Sequence, residues 1–152
     1  MIERTLVLIK PDAVQRGLIG EILKRFEQRG LKIVAMKMVW IDREFTKKHY
    51  YEHIDKPFFE ELASFIEEGP LVALVIEGLK AIQVVRKIIG STRPEEASPG
   101  TIRGDYAHFL IRGQNLVHAS ANEKDAKREI ELWFKGEEIH SYSRDDEKHT
   151  MK

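Results

Sequence analysis

Apolar positions along this chain switch between two spacings, and the switches mark its elements. Residues 5–9 are a continuous β-type run, closed by Lys10 and Pro11, because proline cannot donate to a ladder. Ile19, Ile22, Leu23 and Phe26 then fall at helical spacing and predict an amphipathic helix over 19–29, stopped by Gly30. Residues 31–41 read as a second strand, apolar on nearly both faces except at Lys32 and Lys37. Two-sided apolarity predicts helices on one side and another subunit on the other. Asp42 is the expected N-cap of a helix carrying Phe45, His49, Tyr50 and His53. After a break at Asp55-Lys56-Pro57, the residues Phe58, Phe59, Leu62, Ala63 and Ile66 mark a helix ending near Gly69-Pro70. Residues 71–76 predict a third strand. Ala81, Val84, Val85 and Ile88 predict a helix ending at Gly90.

Residues 91–114 are loop-rich, with Pro94 and Pro99, and a loop of this length is expected to be functional or an assembly contact. Asn115, Leu116 and Val117 predict a short fourth strand, with His118 and Ser120 where it stops. From Asn122 the spacing turns helical again through Ala126, Ile130, Trp133 and Phe134. Ser120 and Glu123 fit a capping box, so Ser120 or Asn122 is the expected cap. The polar tail from about residue 143 is expected to be mobile. The order β-α-β-α-α-β-α-β-α reduces to βαββαβ. This predicts an α+β, ferredoxin-like fold: a four-stranded antiparallel sheet with helices on one face, added helices and a long Pro-rich loop.

Length and composition narrow the function. The 152 residues suit one domain over 1–152. There is no cysteine, which excludes disulfides, thiol catalysis and cysteine metal sites. No apolar run approaches ~18 residues and no signal peptide opens the chain, which predicts a soluble, cytoplasmic protein without membrane attachment. Lys+Arg and Asp+Glu both number 25. Zero net charge argues against nucleic acid as a partner.

The chemistry starts from His118, a histidine at a strand end in front of a helix start, where an imidazole can meet a phosphate. Lys10, Arg86 and Arg103 lie at element edges or in the long loop. If they converge on His118 they make a phosphate cradle, with arginine binding oxygens bidentately and lysine acting as a point charge. Taken singly, each reads more readily as a surface charge. No Gly-x-x-x-x-Gly-Lys-[Ser/Thr] and no Gly-x-Gly-x-x-Gly is present, so neither a P-loop nor a dinucleotide fingerprint applies. Arg103-Gly104-Asp105 reads as loop composition rather than an adhesion motif.

Several stretches in fixed order carry a resemblance: residues 5–17 (Thr5 to Gly17, including Lys10-Pro11-Asp12), Lys56-Pro-Phe-Phe59, Gly69-Pro70, Pro99-Gly-Thr-Ile-Arg-Gly-Asp105, Asn115-x-x-His118-Ala-Ser120 and Arg128-Glu-Ile-x-Leu-Trp-Phe134. Over roughly residues 3–142 the chain resembles the nucleoside diphosphate kinase family. The resemblance implies ping-pong transfer of the γ-phosphoryl of a nucleoside triphosphate to a nucleoside diphosphate, through a phosphohistidine at His118. It implies Lys10 and Asn115 on the ribose, with Lys10 also on phosphate. Arg86, Thr92 and Arg103 would bind phosphates. Phe58 would stack on the base, Tyr50 would line the site, and Glu129 with Ser120 would orient the imidazole. No protein metal site is implied, since Mg2+ would arrive on the nucleotide phosphates. A homohexamer is implied, with a tetramer as the alternative.

Three positions depart from the family pattern. Ala121 stands where an Asp is expected, Arg93 replaces a small polar residue, and residues 106–114 form an unusual loop. Ala121 and the altered loop are the only support for a second reading, a catalytically weakened nucleotide-binding or scaffold member.

Overall fold

A computed structural model describes residues 1–151. Strands β1 (Ile2–Ile9), β2 (Lys32–Val39), β3 (Leu71–Leu79) and β4 (Val117–Ala119) form one antiparallel sheet in the order β2-β3-β1-β4. Its helices are α1 (Pro11–Gln15), α2 (Ile19–Gln28), α3 (Arg43–His49), α4 (Phe59–Ile66), α5 (Ala81–Ile89), α6 (Ile102–Tyr106), α7 (Glu123–Trp133) and α8 (Glu147–Thr150). The α+β class and the four-stranded antiparallel sheet stand as expected.

The sheet is covered on both faces, not one. Side chains alternate along a strand, so Val7 and Ile9 of β1 join Ile22 and Phe26 of α2 and Val85 and Ile89 of α5. Leu6 and Leu8 point the other way and join Ile66, Trp133 and Phe134. The additional helices supply this second layer. It explains why the central strands read as unbroken apolar runs rather than as an alternation.

The chain turns sharply where β1 ends. Pro11 opens α1, where its missing N–H costs nothing, and Lys10 is the extended residue before it. This short helix was not expected from the sequence. Asp42 caps α3 as predicted, accepting from Phe45 N at 2.9 Å. Asn122, not Ser120, caps α7, accepting from Asp125 N at 2.8 Å. Ser120 is fully buried and turned inward. The fourth strand starts later than the apolar run suggested. Leu116 takes a left-handed φ of 72°, so pairing begins at Val117, and His118 lies within the strand opposite Leu8. The long loop contains the short helix α6, capped by Thr101, whose hydroxyl accepts from Gly104 N at 3.0 Å.

Strand β2 is an edge. Met36, Met38 and Trp40 are exposed on it or just beyond it. Its first half is covered by the tail, which is docked rather than free. His140 N donates to Val34 O at 2.8 Å, Arg144 Nη1 donates to Leu31 O at 2.7 Å, and the Tyr142 hydroxyl reaches Ile33 O. Buried Lys32 pairs with Glu147 at 2.7 Å. The physical reason lies in the edge itself: unpaired carbonyls need donors, and a polar tail can provide them. Arg144→Ala is expected to lower the unfolding free energy by about 1–2 kcal/mol, since charged donors to backbone carbonyls are lost. Urea titration checks this as a lower midpoint at an unchanged slope.

Candidate functional site

The site forms where the end of β1 lies beside the start of β4. Lys10 N donates to Leu116 O at 2.8 Å, and the Asp12 carboxylate accepts from Leu116 N at 3.1 Å. These two bonds hold the left-handed turn before β4. Buried Lys10 donates its Nζ to Asn115 Oδ1 at 2.9 Å and Gly113 O at 3.2 Å. Asn115 in turn donates to Thr92 O at 2.9 Å. Arg103 is buried, and its guanidinium reaches Asn115 O at 3.1 Å, Gly90 O at 3.1 Å and Val117 O at 2.5 Å. Arg103 thus ties α6 to the end of α5 and to β4, and a buried arginine cannot serve as an adhesion motif. Arg86 is exposed, with Nη1 3.3 Å from Ala119 O.

Behind the cleft, His118 Nε2 lies 2.9 Å from Glu129 Oε1. Ser120 Oγ donates to the same oxygen at 2.8 Å and accepts from Leu6 N at 3.2 Å. The carboxylate is thereby tied through Ser120 to the backbone of the central strand. Burial acts to raise the Glu129 carboxyl, but hydrogen bonds from His118 and Ser120 and the nearby Arg128 outweigh it and leave it below its ordinary value. Glu129 is therefore an anion at neutral pH and accepts from a ring proton on Nε2. In the neutral ring, Nδ1 then carries the lone pair.

A cleft of about 670 Å³ gathers Lys10, Tyr50, Phe58, Arg86, Thr92, Arg103, Asn115 and His118 in its lining. Every residue singled out from the sequence is thus either in the cleft wall or, as Glu129 and Ser120, directly behind His118. The sequence reading missed Leu110, Glu61 and Arg112 in the wall. Phe58 and Glu61 are three apart at the start of α4, a spacing that puts both on one face. Leu110 lies in the unusual loop, whose apolar side chains were the available signal. Of the departures, Arg93 pairs with Glu95 at 2.9 Å instead of adding charge to the cleft. Ala121 stands exposed at the cleft edge.

The charges pull on one another. Burial first, then the neighbouring Arg103, lower Lys10 to about 8, with Asp12 opposing. Burial and Arg86 push Arg103 down to about 10. Burial and the Glu129 charge raise the Tyr50 hydroxyl, so it stays protonated. Both cations are charged at neutral pH. Among the described residues no group of three or more His, Cys, Asp or Glu is placed to hold a metal, and no helix is long and apolar enough to cross a membrane.

Sulfate, whose charge is constant in this range, tests the cradle. Because Lys10 loses its proton as pH rises through about 8, sulfate affinity is expected to fall over that interval. The fall is expected to shrink in Lys10→Met to the smaller part set by Arg103 at the top of the range. Calorimetric titration from pH 6.5 to 9.5 measures both.

The profile described as nucleoside diphosphate kinase matches residues 3–139. Nucleoside diphosphate kinases of Pyrococcus furiosus and Archaeoglobus fulgidus are 58% and 55% identical over 142 and 145 residues. Those alignments cover 93% and 95% of this chain, and 88% and 95% of the relatives. A nucleoside-diphosphate kinase from Borrelia burgdorferi, described as a transition-state mimic with bound vanadate and ADP, superposes with a TM-score of 0.93 at 46% identity, covering 98% of this chain and 96% of its own. The enzyme from Halobacterium salinarum in complex with CDP gives 0.93 at 49% identity, covering 97% of each. A cleft of lysine and arginines around a carboxylate-bound histidine, on a fold and sequence shared this widely, means that the chain belongs to the nucleoside diphosphate kinase family.

Proposed function

We propose that this protein moves the γ-phosphoryl of a nucleoside triphosphate onto His118 and then onto a nucleoside diphosphate. The observation that carries this reading is the His118 ring itself, bonded at Nε2 to Glu129 at 2.9 Å and placed in a cleft whose other polar groups are cationic or neutral apart from Glu61.

The steps follow from those groups. The Nδ1 lone pair attacks the γ-phosphorus as the bond to the β–γ bridging oxygen breaks, and the diphosphate leaves with that electron pair. The ring becomes imidazolium-like, and Glu129, ionised and 2.9 Å away, balances the charge. A nucleoside diphosphate then takes the phosphoryl on its terminal oxygen, and Nδ1 recovers its lone pair. Phosphoryl transfer needs chiefly positioning and charge stabilisation. Lys10, Arg86 and Arg103 supply the charge, with the Thr92 hydroxyl beside them. Asn115 and Lys10 hold the ribose, and the Tyr50 hydroxyl lines the same wall. Phe58 offers a stacking face in a wall that also carries the apolar Leu110. Stacking accepts any base, in keeping with relatives described with ADP and with CDP.

Mg2+ fits as a guest of the nucleotide, because the cleft presents cations rather than a carboxylate cluster. It would neutralise phosphate charge when bound. The exposed Met36, Met38 and Trp40 of the β2 edge support pairing of subunits there and assembly into a homohexamer, with a tetramer as the alternative outcome of light scattering. A cytoplasmic location belongs to the same reading, since nucleotides are there. The single domain extends over 1–152, including the docked tail. The family relationship does not favour the alternative of a catalytically weakened scaffold.

His118→Ala is expected to abolish labelling by γ-labelled ATP while ADP still binds, because the cradle is separate from the nucleophile. Label retained by that variant would remove His118 from its role. Lys10→Ala is expected to lower kcat by about 10²–10³, as for loss of one preorganised donor. Steady-state kinetics distinguishes this from a change confined to KM.

A further inference from the structure

Helix α7 reaches His118 twice, once directly and once through another ring. Glu129 bonds the His118 Nε2. Four residues on, and so on the same face of the helix, Trp133 donates its indole N–H to His49 Nδ1 at 3.0 Å. An indole nitrogen only donates. His49 Nδ1 is therefore an acceptor, and the ring proton of neutral His49 sits on Nε2. His49 is buried at the end of α3, with 4% of its surface exposed. Its ring stands edge-to-face against His118, centroids 4.8 Å apart and planes at 81°. It meets Trp133 at 5.4 Å and 83°, and Tyr50 at 4.6 Å and 72°. Phe45 closes on Trp133 from α3 at 4.7 Å.

We propose that His49 is a positioning residue for phosphoryl transfer: a ring locked by Trp133 that walls the His118 imidazole and, with Glu129, fixes the plane in which Nδ1 meets the phosphorus. This rests on the reading of His118 as nucleophile. The need for a second constraint is geometric. A single hydrogen bond at Nε2 leaves the ring free to rock about that bond, and the outer torsion of histidine is broad. The attacking lone pair lies in the ring plane, so rocking misdirects it, and small errors of aim cost rate steeply. A perpendicular ring packed on His118 removes that freedom. His49 is also neutral at neutral pH. Burial first, then the facing His118, Arg128, Lys10 and His53, hold it well below the usual histidine range.

The competing role is that of an ordinary core histidine whose only task is to satisfy the Trp133 N–H. Two substitutions separate the ring from the hydrogen bond. H49N keeps an acceptor for Trp133 and removes the wall. H49F keeps the wall and leaves the indole N–H without its acceptor. Single-turnover labelling of His118 by γ-labelled ATP, ADP affinity and melting midpoint are measured for each. H49N is expected to slow labelling about tenfold with ADP affinity changed by less than about twofold, whereas H49F stays within about threefold of the parent rate yet melts lower. Parental labelling in H49N, or rates that follow the melting order rather than the presence of a ring, overturns the proposal. Should H49N fail to fold, W133F retains the His49 ring, removes the N–H that locks it and trims the core around it, so its melting midpoint is read beside its rate. It is expected to label about threefold more slowly with unchanged ADP affinity, and parental labelling there overturns the proposal equally. Label retained by H118A is a different failure: it removes the nucleophile, and this inference with it.

Discussion

One buried charge holds the site region together. The Arg103 guanidinium sits on carbonyls of Gly90, Asn115 and Val117, the first two at 3.1 Å, and so joins the end of α5, the turn before β4 and β4 itself. Burying an unpaired cation costs far more than any one hydrogen bond returns, so the three carbonyls have to be presented together. The long loop can therefore be irregular and still rigid where it matters. The Lys10–Asn115–Thr92 chain of bonds, at 2.9 Å each, extends the same constraint across the cleft floor.

That arrangement leaves a deliberate imbalance. Lys10 and Arg103 are each pushed down by burial and by a neighbouring cation, the first to about 8. In the free protein these charges repel one another and are poorly solvated. An anion beside them would offset both costs at once. Electrostatic preorganisation of this kind stabilises charge without rearrangement at the moment of reaction. His118 is held by its own partners. Glu129 is fixed by Ser120, Ser120 by the backbone of Leu6, and Leu6 lies in the centre of the sheet.

Helix α7 joins stability to chemistry. Its Trp133 belongs to the core on the second face of the sheet, and its Glu129 holds the histidine. A disturbance of that core moves the carboxylate. The same economy shows at β2, where the polar tail answers the open carbonyls at one end and leaves the apolar side chains at the other end exposed.

The periodicity determined the strands, the main helices and the α+β class, because a strand buried on both faces and an amphipathic helix write themselves into spacing. The motifs pointed to Lys10, Arg103, Asn115 and His118 of the cleft and to Glu129 behind it, whereas Arg86 lies outside those stretches and is singled out by its place near an element edge and by the resemblance. What the chain by itself left open was convergence, since residues as far apart as Lys10 and Asn115 meet only through strand pairing. The left-handed turn at Leu116 shifted β4 by two residues against its apolar run, because tertiary bonds from Lys10 and Asp12 overrode local pattern. Ser120 looked like a cap and became a buried link, because Asn122 was better placed to accept from Asp125. The tail looked solvated because polarity alone does not reveal an acceptor elsewhere in need of donors. His49 read as one more residue on an amphipathic helix, and only the packing of α3 against α7 placed its ring beside His118.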